Sequence, residues 1–460
     1  MRFRGSCLLG LLLVAACVTT PNGIPDSRLA SAKDRTNAAA VLLREVAPVS
    51  DPAVWQRIRK ERIRTLLPPA MKAAGVDAWI VFVRENDNDP LAAHVGGENA
   101  GGTAAILFFL KDDRVRSLAL SPAGESTALS EIGLHDQVVS IDRSADVFKL
   151  AADEIRKASP LSVAVNSSSR AAADGLSWIQ RRALEEALGA GLVSRLVSSE
   201  DLVVRWLSVK LPEEVEIMRR AALVTALLEE EAYSTVKPGI TRDVDVARYL
   251  KSRMRELGLE DAWAPDQNPN VNSGIDRGHS HSTDRVIQPG DIIQTDFGVK
   301  AGGIWSTDIQ RFAYVLRPGE NTPPVVMTER WENSKRGSRI ALEAMRPGVR
   351  GYDVDEAQRR WMTKQGSEFV PWSTGHPVGY WAHDMGPSLG GAQRSTPPSG
   401  DSLRTLQRGQ TFAFDGFFAW RVGDNNTKTI SVEEMAVVTD GGAEYLIPPQ
   451  EQLILIGGRR

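Results

Sequence analysis

Cysteine is almost absent: the 460-residue chain has two, Cys7 and Cys17. Everything after residue 17 therefore lacks a disulfide, a thiolate metal ligand and a cysteine nucleophile. Charge of one sign is missing too. With 55 basic and 58 acidic residues well mixed and a formal charge of -3, there is no electrostatic footprint for nucleic acid. Beyond residue 16 no segment approaches the roughly 20 apolar residues that a transmembrane helix needs. Histidine is scarce, with six in the chain, so the places where it gathers are informative. His279, His281, His376 and His383 fall in two tight groups, whereas His94 and His135 stand alone and read as packing or surface residues.

What is present begins at the N-terminus. Met1-Arg-Phe-Arg4 supplies positive charge, and Leu8 to Ala16 supplies an apolar run too short to span a bilayer, the pattern of an export signal over 1–16. Its end, Val14-Ala-Ala-Cys17, resembles the lipobox of bacterial lipoproteins. That resemblance implies cleavage before Cys17, a lipid on Cys17, and an exported protein facing the periplasm or the cell surface. Its only membrane association would be through that lipid. Residues 17–45 are expected to form a flexible tether, since Thr19 to Asn37 is rich in Pro, Asn, Ser, Asp and Lys with little apolar periodicity.

The remaining length predicts two domains. Over 46–200, β-rich runs at Ala78–Val83, Ala104–Leu110, Gln137–Ile141 and Ser162–Val165 alternate with helical stretches such as Ala171–Leu188, an α/β pattern. Over 201–457 a second domain opens at Lys210-Leu-Pro-Glu-Glu. Pro212 suits a first helical turn, and the glutamates suit the positive end of a long amphipathic helix running to about Thr235.

This second domain echoes itself. Lys237-Pro-Gly-Ile with Asp243-Val-Asp245 returns as Arg346-Pro-Gly-Val with Asp353-Val-Asp355. Ile287-Gln-Pro-Gly-Asp-Ile-Ile-Gln-Thr-Asp296 returns as Leu406-Gln-Arg-Gly-Gln-Thr-Phe-Ala-Phe-Asp415. Two helix-helix-strand-strand halves related by a pseudo-twofold would bring Asp296 and Asp415 to corresponding places at a shared seam.

The residues that carry chemistry gather there. Asp296 ends an apolar strand, and Asp308 follows a turn centred on Gly302 that is expected to set the two carboxylates directly across from each other. Opposed carboxylates repel unless a cation lies between them. His376 sits in the glycine-flanked Thr374-Gly-His-Pro-Val-Gly379, His383 and Asp384 follow, and Glu433 and Glu434 lie on a strand. Four carboxylates and one imidazole, with no thiolate, suit two divalent ions of the Mn, Co, Fe or Zn kind, which lower the pKa of a shared water. Trp372, Trp381 and Trp420 fall beside these motifs and read as walls of an apolar substrate pocket or as core-packing aromatics.

From about Trp55 to Ile456 these residues resemble the pita-bread metallopeptidases, nearest to the prolidase and aminopeptidase P branch. The resemblance implies an α+β fold, with a duplicated ααββ catalytic domain preceded by a smaller creatinase-like α/β domain. It implies metal ligands Asp296, Asp308, His376, Asp415 and Glu433, and two divalent ions with Mn first. His279 and His383 would serve the reacting amide and Asp415 would relay the proton. His281 has no counterpart in the family and is grouped with the pocket. The implied activity is hydrolysis of Xaa-Pro peptides as an aminopeptidase or dipeptidase, in a chain that could pair as a homodimer. Alternatives are a same-fold hydrolase of a non-peptide substrate and a non-catalytic binding protein. The sequence departs from the family at Asp415, where Glu is usual, at Trp372 and Ser431, where His and Arg are common, and in a spacing from Asp296 to Asp308 one residue longer than usual.

Overall fold

A computed structural model describes residues 31–47, 51–86, 89–98, 100–277, 281–394, 397–398 and 400–457. The export signal, Cys17 and His279 lie outside the described residues. Among those described, no helix is long and apolar enough to cross a membrane.

The first domain is built on a six-stranded mixed sheet in the order Gln137–Ile141, Arg114–Pro122, Ala104–Lys111, Ala78–Val83, Val163–Val165, Leu196–Ser198. The central pairings are antiparallel and the outer ones parallel. Ala78–Val83 is buried throughout because helices cover both faces. Trp79 and Val81 enter one core, while Ile80 and Phe82 enter the other, the period-two alternation of a strand. Of the expected Ala171–Leu188 helix, only Trp178–Leu188 is α-helical, starting at a Ser177 capping box.

One expectation needs correction. The second half of the expected flexible tether is regular structure: Ala32–Val46 is a helix, N-capped by Ser31 in a capping box with Asp34. It buries Ala39, Ala40 and Leu43 and lies along the Pro212–Ser234 helix. Thr36 Oγ1 donates to Leu227 O at 3.3 Å and Arg35 pairs with Glu230 at 3.1 Å.

The second domain confirms the duplication. Helices Pro212–Ser234 and Asp243–Glu256 precede a sheet in the order Ile454–Ile456, Ile309–Val315, Ile292–Phe297, Asn270–Ser273. Helices Val325–Ala344 and Gly351–Lys364 precede a sheet of Gly375–Pro377, Thr411–Val422, Asn426–Thr439 and Gly442–Tyr445. Each repeated motif sets its glycine at positive φ: Gly239 and Gly348 at 78° and 86°, Gly290 and Gly409 at 92° and 85°. The echo is therefore one of backbone geometry that only glycine adopts cheaply. The Pro212–Ser234 helix is amphipathic only at its start. Beyond Ile217 it is buried nearly all round, since one side meets the strands and the other the Ala32–Val46 helix.

Candidate metal centre and active site

Register places the acidic residues. Asp296 pairs with Gln310 across the first sheet, and Asp415 pairs with Glu433 across the second. The expectation that Asp296 and Asp308 stand directly opposed is therefore wrong. Ile309 pairs with Phe297, so Asp308 falls beside Gly298 and reaches Asp296 only on the diagonal. It shares the strand face of Gln310, two residues on. Gly298 is required here, because a Cβ would stand 2.3 Å from the Thr307 carbonyl oxygen and 2.3 Å from the Trp263 ring.

The diagonal still brings the groups together. Asp296, Asp308 and Glu433 each offer an oxygen within 4.8 Å of the others, and so do ligand atoms of Asp308, His376 and His383. His376 Nε2 is 3.7 Å from Asp308 Oδ2 and 3.7 Å from Glu433 Oε1. His383 meets His376 edge to face at 4.3 Å. Gly375 lets the strand that carries His376 lie close against Thr411–Val422: a Cβ there would stand 2.4 Å from Ala413 O. Thr374 O accepts the Asp415 N–H at 2.7 Å, and Asp355 holds the Thr374 hydroxyl at 2.6 Å. Behind Asp415, Gly416 lets the Val325–Ala344 helix press onto the strand, since a Cβ there would stand 2.1 Å from Ser334 O.

The electrostatics of the cluster fit a bound cation. Burial first, then the charges of Glu433 and Asp296, push the Asp308 and Asp415 carboxyls well above the usual carboxylate range. Asp415 Oδ1 is buried without a hydrogen-bond partner among the described residues, a costly state unless a ligand meets it. The all-oxygen set with one imidazole fits a divalent ion held by Asp296, Asp308, His376, Asp415 and Glu433. Gln310 supports the set: its Nε2 donates to Glu433 Oε2 at 2.8 Å, and its Oε1 accepts from Gln294 at 2.6 Å and Ser431 at 2.9 Å.

These groups line a cavity of about 430 Å³ shared with Trp263, Gln267, Asn270, Trp372, Ser373 and Ala382. Of the expected pocket residues, only Trp372 belongs to it. Trp381 turns toward His94 and Tyr380, and Trp420 packs under the Arg330 guanidinium at 4.2 Å. His281 is exposed, bonds Asp266 O at 2.6 Å and lines a separate groove with Arg248 and Lys251. Three of the four failed because sequence proximity to a motif does not fix the direction of a side chain. Trp263, Asn270 and Gln310 were missed. Asn270 and Gln310 could have been found as the register partners of Asp296 on either side.

A two-domain protein with a duplicated sheet pair enclosing a carboxylate and histidine centre has the architecture of the pita-bread hydrolases. The solved Xaa-Pro dipeptidase from Bacillus anthracis superposes with a TM-score of 0.64 at 20% identity, covering 87% of this chain and 100% of that one. The X-Pro aminopeptidase from Thermotoga maritima superposes at 0.62 and 20% identity, covering 84% and 100%. The uncharacterized peptidase YqhT of Bacillus subtilis is 24% identical over 267 residues, 57% of this chain and 69% of its own. Residues 216–440 match the model of metallopeptidase family M24. Over those residues, just under half of the chain, the catalytic domain is similar to that family of peptide hydrolases.

Proposed function

We propose that the cavity cleaves the peptide bond before proline in Xaa-Pro peptides. The observation that carries this reading is the convergence of four carboxylates and His376 in one cavity that Trp263 and Trp372 also line. A divalent ion held by Asp296, Asp308, His376, Asp415 and Glu433, with Mn expected first, would supply Lewis-acid polarisation and a water of lowered pKa. The remaining work falls to the chain. Trp263 and Trp372 offer flat apolar walls suited to a proline ring. His383 donates a ring N–H to the carbonyl oxygen as negative charge develops there. Asp415, with its unpartnered buried oxygen, takes the proton of the attacking water and passes it to the leaving proline nitrogen. By the family resemblance His279 shares the task of His383.

The tripeptide Ala-Pro-Ala incubated with the purified chain and Mn should release alanine. Chelation should stop the release and added Mn should restore it. No release from any Xaa-Pro peptide by metal-loaded protein, or release that survives complete metal removal, would overturn the reading.

A further inference from the structure

The seam between the two domains is filled with buried charge. Arg62, on the Pro52–Thr65 helix of the first domain, is fully buried. It donates to Trp206 O at 2.6 Å, Val209 O at 2.8 Å and Glu214 Oε2 at 2.6 Å. Glu214, equally buried, accepts from the Tyr380 hydroxyl at 2.5 Å and from Trp305 Nε1 at 3.3 Å through its other oxygen. Lys210 donates to Asp384 Oδ2 at 3.0 Å, and the same oxygen accepts the Tyr380 N–H at 2.9 Å. The Tyr380 ring lies between the two cations, 4.6 Å from Lys210 Nζ and 5.3 Å from the Arg62 guanidinium carbon. From the first domain, His94 meets the same ring at 4.5 Å.

Such a cluster is poorly explained by stability. Burying an ion carries a large desolvation cost, and apolar residues of equal volume commonly do as well or better. Its placement suggests another role. Tyr380 and Asp384 belong to the turn that begins at His376 and carries His383. Asp384 N–H closes that turn on Pro377 O at 2.9 Å. At Gly379 a Cβ would stand 2.3 Å from Lys210 Cε and 2.4 Å from Asp384 Oδ2. The turn therefore packs closely against the Lys210 side chain at Gly379.

We propose that Arg62, Lys210, Glu214, Tyr380 and Asp384 form a positioning network through which the first domain sets where His376 and His383 stand in the active site. None of the five lines the reaction cavity, so each acts through the turn. The kinetic side of this inference rests on the peptidase reading, whereas the structural side does not.

The test uses Tyr380→Phe, which removes one hydroxyl and its link to Glu214, and Arg62→Met, which removes the first domain's charge at similar volume. In metal-free protein carrying ring-labelled histidine, the His376 and His383 signals should move in both variants. His135, bonded to Val95 O inside the first domain, should stay in place as the control. With Mn and Ala-Pro-Ala, kcat should fall about 10- to 100-fold while KM changes less than threefold, since misplacement of a reacting group costs rate. Unmoved His376 and His383 signals in folded Tyr380→Phe would overturn the proposal, whatever happens to Arg62→Met. So would a wild-type kcat accompanied only by a lower melting temperature. If wild-type protein cleaves no peptide, the peptidase reading fails, and the ring signals still decide the positioning network.

Discussion

Gln310 stands across from Asp296 as Glu433 stands across from Asp415, so the pseudo-twofold relates an amide to a carboxylate. The two then meet at the seam, Gln310 Nε2 donating to Glu433 Oε2. This amide aims the carboxylate, because Gln294 and Ser431 occupy its oxygen and leave its nitrogen turned toward Glu433. Groups that orient a ligand commonly contribute 10- to 100-fold to metal affinity. Gln310→Met, close in volume but without the donor, should weaken Mn binding by about tenfold or more, measured by titration calorimetry on metal-free protein. An unchanged dissociation constant would show that Glu433 needs no such partner. The clustered carboxylates and His376 were legible in the sequence because holding a divalent ion demands those residue types. Gln310 was not, since an amide beside Asp308 has no meaning until the register shows which carboxylate it faces.

At the scale of elements, the repeated Lys237-Pro-Gly and Arg346-Pro-Gly motifs were readable because each requires a left-handed glycine before a helix. The Ala32–Val46 helix was not readable. Its mean composition is polar, and it has a narrow face of Ala39, Ala40 and Leu43 that gains meaning only against the Pro212–Ser234 helix. Propensity is a weak prior when tertiary contact supplies the stability. If that docking holds the helix, Leu43→Ala, at a site 3% exposed, should destabilise the catalytic domain by about 3 kcal/mol in urea unfolding. A loss below about 1 kcal/mol, less than any buried Leu→Ala change ordinarily costs, would mean that the helix is only loosely held. The hairpin expectation failed for a related reason: counting residues to a midpoint ignores the break at Gly298, which shifts Asp308 out of direct opposition to Asp296.

The whole molecule has an acid weakness at the seam between its domains. His94 is 6% exposed, and its Nδ1 has no hydrogen-bond partner among the described residues. It lies among Trp55, Trp206 and Tyr380. Burial first, then the positive charges of Arg62, Lys210 and Arg59, lower its pKa from 6.5 to about 3. A histidine with a depressed folded pKa stays neutral in the folded state while the unfolded chain takes up a proton. Stability from this group is therefore intact above pH 6.5 and is lost as pH falls from there toward 3. At pH 5 the unfolded chain's gain is about 2 kcal/mol. His94→Phe keeps the ring, removes the proton site and should be tolerated by the aromatic surroundings. The difference in unfolding free energy, wild type minus variant, should fall by about 2 kcal/mol between pH 7.5 and 5, and taking the difference cancels every other titrating group. Urea unfolding followed by tryptophan fluorescence at the two pH values measures it, and parallel pH dependences for the two proteins would refute a buried neutral His94. Because the same ring packs on Tyr380, acid-induced opening at His94 would release the turn that carries His376 and His383. Activity should therefore be lost along with the seam and before the sheets of the catalytic domain unfold.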